Sequence, residues 1–305
     1  MEQKQKIVEV KSLVKNYGSF CAVKDVSFDV YQNDVFGFLG PNGAGKSTTI
    51  RTILSLISPT SGTINLFGKS LTNNRNYILS KIGCIVEKPD FYKYLSAQKN
   101  LELFARISGN NITKARISEL IDFVGLSGRE KDKVSGFSHG MKQRLGIAQT
   151  LLHDPDLIIL DEPTTGLDPQ GIIDIRNLIL QLKNEKNKTV IISSHILSEI
   201  ELIANRMIII NKGKTIVQGD VTELLNSQEV IVLFKVNFVA KAIQLLKHSV
   251  FAICETTVQD SSILIHTSIE SIAIINKLFC DNEIHVSAIE TKRKLEDYFL
   301  RLIND

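Results

Sequence analysis

Residues 34–47 read DVFGFLGPNGAGKS: a short apolar run that breaks at Gly40 into a glycine-rich turn and ends in Lys46 and Ser47. Gly40–Ser47 fits the spacing G-x-x-x-x-G-K-[ST], with a strand expected before it and a helix expected from about Lys46 to Ile57. From average residue usage, a chance match in a chain of this size is on the order of one per cent. The spacing has a chemical reason. Gly43 and Gly45 let the backbone wrap closely, so that N–H groups along Gly40, Asn42, Gly43, Ala44, Gly45 and the first helical residues, Thr48 included, point at phosphate oxygens. The helix aims its positive end at the same anion. Lys46 is placed to reach the β- and γ-phosphates and Ser47 to ligate Mg²⁺.

A second signal lies downstream in LIILDEPTTGLDP, residues 157–169. Four apolar residues read as a buried parallel strand. Asp161 and Glu162 emerge at its C-terminal end, where open α/β sheets bind ligands. One carboxylate suits Mg²⁺; the next can polarise a water for attack on the γ-phosphate. Alone, two acids before Pro163 would equally fit a turn, but the upstream loop favours catalysis. A third apolar strand, TVIISSH, ends in His195, which the same geometry assigns to a γ-phosphate contact.

The totals exclude several classes. The 305 residues allow one large α/β domain and a small one. Basic and acidic groups nearly balance, 36 against 33, for a net charge of +3, which gives no support for nucleic acid as a partner. Cys21, Cys84, Cys254 and Cys280 are scattered without a CxxC pair, so buried free thiols are expected rather than a zinc site or disulfides. The N-terminus has no signal-peptide core, and no apolar run approaches the roughly 20 residues that span a bilayer. The expected location is the cytoplasm, with any membrane role exerted through a partner.

Strands are expected at Ile7–Val14, Val23–Val30, Asp34–Leu39, Thr63–Phe67, Leu157–Leu160, Thr189–Ser193 and Arg206–Ile210, with a strandless helical insert at about residues 88–152. This is a mostly parallel sheet in a large domain, residues 1–227. Residues 228–305 read as strand Val230–Val236, helix Phe238–His248, hairpin strands Phe251–Val258 and Ile263–Thr267, helix Ile269–Cys280, strand Ile284–Ile289 and an amphipathic helix from Lys294. The order βαββαβ is that of a ferredoxin-like sandwich.

Many kinases and GTPases share the phosphate loop. The discriminating stretch is VSGFSHGMKQRLGIAQTLLHDPDLIILDEPTTGLDP, residues 134–169, which resembles the signature region of ATP-binding cassette (ABC) ATPases. The resemblance covers roughly residues 7–225. It implies ATP with Mg²⁺ as cofactors, Tyr17 stacking on adenine, Glu162 as water-activating base and His195 as switch histidine. FSHGM matches the family's Leu-Ser-Gly-Gly-Gln signature, so Ser138 and Gly140 would cap the γ-phosphate of ATP held by a second copy, and Asp168 would link the two sites. His139 and Met141 depart from the pattern, with His139 read as a tolerated variation. A head-to-tail pair of cassettes, clasping ATP between them and seated on a transmembrane permease, is the implied assembly.

At residues 82–92, IGCIVEKPDFY, an expected strand ends at Glu87, where the family normally has a metal-ligating glutamine. A carboxylate is a hard oxygen donor, so Mg²⁺ ligation by Glu87 can survive beside Ser47 and Asp161. This glutamate, with KPDFYKYLSAQKNL, FGFLGPNGAGKSTTIR, SSHILSEIE and LEDYF, resembles cassettes of bacitracin-resistance and lantibiotic-immunity exporters. That subfamily implies ATP-driven removal of a membrane-acting antimicrobial peptide. A soluble cassette acting on ribosomes or DNA, or an exporter of a lipid or sodium, remain the alternatives at this level.

Overall fold

A computed structural model describes residues 5–109, 112–225, 229–259 and 262–293. The chain divides into two compact units, Met1–Val221 and Thr222–Asp305. The boundary expected at 227/228 lies outside the described residues.

In the larger unit, β1 (Lys6–Tyr17) and β2 (Phe20–Tyr31) form a long antiparallel hairpin. It is followed by β3 (Val35–Leu39), α1 (Lys46–Ile53), β4 (Ser61–Leu66), β5 (Lys69–Ser70), α2 (Arg75–Leu79) and β6 (Ile82–Ile85). The helical insert contributes α3 (Ala97–Ile107), α4 (Lys114–Phe123), a 3₁₀ turn at Val134–Gly136 and α5 (His139–Thr150). Then come β7 (Leu157–Leu160), α6 (Pro169–Asn184), β8 (Thr189–Ser194), α7 (Leu197–Glu201), β9 (Arg206–Asn211), β10 (Lys214–Asp220) and α8 (Val221–Leu225), the last lying across the division between units.

Six strands form one sheet in the order β10-β9-β3-β8-β7-β6. All neighbours from β9 to β6 are parallel, and β10 is antiparallel to β9. Strands β3, β7 and β8 are buried along their whole length, as their largely apolar sequences require of a parallel sheet covered on both faces. Because β3, β6, β7 and β8 run the same way, the loops that begin at Gly40, Val86, Asp161 and His195 all leave one edge.

A second, antiparallel sheet, ordered β2-β1-β4-β5, shares its core with the first. Phe28 of β2 stacks on Phe36 at 5.5 Å and meets Phe38 edge-on at 5.3 Å, and Ile50 and Ile53 of α1 are buried in the same cluster. Each such side chain contributes about 1.5–3 kcal/mol on burial. The helix carrying Lys46 and Ser47 is thus fixed by its apolar face.

In the smaller unit, β11 (Glu229–Val236), α9 (Val239–Lys247), β12 (Thr256–Gln259), β13 (Ser262–Ser268), α10 (Ser271–Asp281) and β14 (Val286–Arg293) follow the expected βαββαβ order. The sheet is antiparallel in the order β12-β13-β11-β14, the ferredoxin-like arrangement. Phe234 and Phe279 meet edge-on at 5.4 Å in its core. The helix expected from Lys294 lies outside the described residues.

Some expectations need correction. The helix after the phosphate loop ends at Ile53, not Ile57. Ser55 takes φ 54°, and the Ser55 and Leu56 N–H groups bond back to Thr52 and Arg51 carbonyls, a Schellman cap built without glycine. Strand β10 was missed, although Lys212 and Gly213, both at positive φ, make the tight turn that joins it to β9. Residues 251–254 form turns, so β12 is shorter than expected. The cysteines are free but not buried: Cys84 and Cys280 are exposed. Cys84 is the one exposed residue of β6, the edge strand of its sheet.

Candidate functional site

The phosphate loop is held from behind. Gly45, at φ 106°, has the Ala22 carbonyl oxygen 2.7 Å from where a Cβ would sit, so both conformation and space demand glycine. Gly40 has ordinary φ, but a Cβ there would lie 2.3 Å from the Ile210 carbonyl oxygen. The turn at Gly213 braces the loop: its N–H donates to the Ala44 carbonyl at 2.9 Å, and its carbonyl accepts from the Lys24 N–H at 2.7 Å. Asn42 and Gly43 are exposed at the loop's crest, while Ala44 is buried beneath it.

Lys46 is almost fully buried. Its ammonium donates to the carbonyls of Gly40 at 2.7 Å and Pro41 at 3.3 Å, and pairs with Glu162 Oε1 at 3.2 Å. Glu162 also accepts from the Thr165 hydroxyl at 3.0 Å, and its own N–H donates to Ser193 Oγ at 2.8 Å. Ser193 Oγ in turn donates to Asp161 at 2.5 Å. Burial pushes the Glu162 carboxyl up, but the Thr165 hydroxyl, the Lys46 ammonium and His195 together outweigh it and hold the group below the ordinary glutamate range. Glu162 sits at φ 47°, a left-handed conformation that costs a non-glycine residue on the order of 1–3 kcal/mol and clusters at functional sites.

His195 Nδ1 lies 3.4 Å from Glu162 Oε2, yet it is buried with no hydrogen-bond partner among the described residues. A buried ring nitrogen left open beside a carboxylate suits an incoming donor or acceptor.

A cavity of about 310 Å³ is lined by Ser47, Glu87, Asp161 and Glu162 and by His139 and Gln143 of α5. The structure therefore brings together the residues expected at the metal. Glu87, also at positive φ (69°), turns its carboxylate to the guanidinium of Arg51. Among the described residues no three His, Cys, Asp or Glu side chains are grouped to hold a metal on their own. A hydroxyl and a few carboxylates instead suit a Mg²⁺ that takes its remaining oxygens from phosphates and water.

The other expected residues lie elsewhere. Tyr17 is half-exposed at the end of β1, with Lys15 Nζ 5.0 Å from its ring centre. Ser138 is exposed at the N-cap of α5, accepting from the Met141 N–H at 3.2 Å, and nothing approaches within 4 Å of where a Gly140 Cβ would lie. Asp168 caps α6 by accepting from the Gly171 N–H at 3.1 Å. Thr48 lies in the first turn of α1, its carbonyl accepting from the Thr52 hydroxyl.

Sequence reasoning missed Glu199. Its Oε2 accepts from Thr164 at 2.8 Å and from Ser194 at 3.0 Å, tying the loop after Glu162 to the strand end that carries His195. No motif spacing pointed to it, because it comes from the short helix α7. His139, expected only as a tolerated variation of the signature, forms part of the cavity wall.

Anion-holding backbone, a buried ammonium and hard carboxylates on one edge of a parallel sheet define a phosphate-loop nucleoside triphosphatase. Comparison with known proteins narrows the class. The family model described as ABC transporter matches residues 23–165. The bacitracin transport ATP-binding protein BcrA of Bacillus licheniformis is 45% identical over 97% of this chain and 97% of its own. The lantibiotic transport ATP-binding protein SrtF of Streptococcus pyogenes is 40% identical over 73% of this chain and 97% of its own. Among solved structures, an ATP-binding subunit of an ABC transporter superposes with TM-score 0.63 at 30% identity, covering 72% of this chain and 91% of the other. A dimeric cassette in a post-hydrolysis state bound to ADP and Pi superposes with TM-score 0.63 at 25% identity over 70% of this chain and 99% of that one. The chain belongs to the ABC transporter family, as an ATP-binding and ATP-hydrolysing subunit. Cassettes of this family form dimers and serve permease partners. No helix among the described residues is long and apolar enough to cross a membrane.

Proposed function

We propose that this subunit powers the expulsion of a membrane-acting antimicrobial peptide of the bacitracin or lantibiotic type. The observation that carries this reading is the 45% identity to a bacitracin transport subunit, which extends over both units of the chain. The peptide is handled by a separate transmembrane permease, and the subunit sits on the cytoplasmic face of the membrane through it.

Two copies work head to tail. Each holds ATP on Tyr17, the loop from Gly40 to Thr48, and Lys46, whose ammonium exchanges Glu162 and the loop carbonyls for phosphate oxygens. Ser138, exposed at the N-cap of α5, and Gly140, half-buried in its first turn, meet the γ-phosphate held by the other copy, where the helix N-terminus favours an anion. Asp168 lies in the loop that links the two sites. Ser47, Asp161 and Glu87 would hold Mg²⁺, which when bound neutralises charge on the β- and γ-phosphates. Glu162, freed from Lys46, accepts the proton of the attacking water, and His195, beside Glu162, contacts the γ-phosphate.

Deletion of the gene with the neighbouring permease gene intact should raise susceptibility to bacitracin or to a lantibiotic and leave unrelated antibiotics unaffected. An unchanged peptide profile, or co-purification with ribosomes in place of a membrane protein, would overturn the substrate reading. Glu87→Gln should keep nucleotide binding and turnover, whereas Glu87→Ala should weaken Mg²⁺-dependent turnover. Equal turnover in all three forms would remove Glu87 from the metal.

A further inference from the structure

Arg51 follows Ser47 by one helical turn, so the two side chains share a face of α1. The carboxylate of Glu87, which lines the cavity with Ser47 and Asp161, is nevertheless bonded to the Arg51 guanidinium through Oε1. Glu87 thus has two destinations within reach of one helix face: a cation beside Ser47, or Arg51 one turn further on. We propose that Arg51 is a positioning residue that competes with the divalent cation for Glu87 and latches the loop after β6 toward α1 until the cation is bound. The proposal rests on the reading of Glu87 as a cation ligand.

The energetics fit a latch that can be released. The pair is open to solvent, with the Arg51 and Glu87 side chains 36% and 70% exposed. Exposed ion pairs are weak. A divalent cation also offers the carboxylate twice the charge of a guanidinium in a less solvated place. Glu87 stands in a strained backbone conformation, so the loop has a reason to move when its side chain changes partner.

The loop has a mechanical connection outward. Two residues on, Pro89 packs against Gly146 of α5 so closely that a Cβ at Gly146 would lie 2.6 Å from Pro89 Cγ. The helix gripped there is the one whose first turn carries Ser138 and Gly140. A change of partner at Glu87 is therefore felt at the helix that offers the signature residues to the second copy.

The test uses the full chain carrying Glu162→Gln, so that ATP is not consumed, and reads Mn²⁺ affinity at saturating ATP from the electron paramagnetic resonance signal of free Mn²⁺. Arg51→Gln should tighten Mn²⁺ binding by roughly two- to fivefold, the scale of an exposed ion pair. The gain should vanish when Glu87→Gln is added, as a double-mutant cycle requires of a shared interaction. Arg51→Lys, which keeps the charge, should stay close to the parent. Metal-free ATP binding, measured in excess chelator, should not change with Arg51→Gln. If Arg51→Gln leaves Mn²⁺ affinity unchanged or lower while Glu87→Ala lowers it, the latch is wrong and the ligand reading stands. If neither Glu87→Ala nor Glu87→Gln changes Mn²⁺ affinity, the ligand reading falls and the latch with it. An equal gain in metal-free ATP affinity would place the effect of Arg51 on the phosphate loop and also overturn the latch.

Discussion

Glu162→Gln should lower ATP hydrolysis by roughly 10²–10⁴-fold, the range expected when a general base is lost. The substitution preserves size and one acceptor oxygen, so the Thr165 hydrogen bond and the left-handed backbone at Glu162 can persist. ATP should still bind, and an ATP-loaded dimer should accumulate, visible by size-exclusion chromatography with Mg-ATP. Wild-type hydrolysis in this variant, or a monomer under saturating nucleotide, would remove Glu162 from the mechanism. The carboxyl titrates below the ordinary glutamate range, so it is ionised throughout neutral pH. Its native-state partners stabilise the fold above the ordinary glutamate pKa, and that contribution is lost as pH falls through the lowered value.

Lys46→Ala should lower turnover by about 10²–10³-fold, the scale of removing one preorganised donor from a developing charge. The physical argument differs from that for Glu162. The buried ammonium holds two loop carbonyls and one carboxylate, so its loss leaves acceptors without a donor and an acid without its countercharge. ATP affinity should fall together with the rate, measurable by equilibrium binding of a fluorescent ATP analogue. Glu162 should also titrate higher in the variant, because the ammonium that helps hold its carboxyl down is gone. Retained ATP affinity with an unchanged Glu162 titration would contradict the geometry.

Much of this site was legible in the sequence because its physics is local. A phosphate cradle needs glycines at fixed offsets from a helix start, and acids at strand ends follow unbroken apolar runs. Both signals survive in a linear string, and the loops of Gly40, Asp161 and His195 do share one sheet edge. What stayed hidden depends on contacts across the fold. No motif singles out Arg51, yet it faces Glu87 across 36 positions of sequence. Glu199 reaches Thr164 across 35 positions. Helix α1 stopped early because Ser55 adopts a conformation usually reserved for glycine, which composition could not foretell. The small unit was readable in element order because alternation and amphipathicity set its strands and helices, while the irregular turns at residues 251–254 broke an apolar run that read as strand.

The hairpin tip at Lys212–Gly213 has a consequence for how the subunit tolerates change. It is clamped to Ala44 on one side and Lys24 on the other, so the wound shape of the cradle is braced by the fold itself. A braced pocket spends little ordering entropy on capture. Lengthening that tip by a residue, far from every motif in the string, would let the scaffold go slack, and the protein would register the insertion as poorer grip on its fuel.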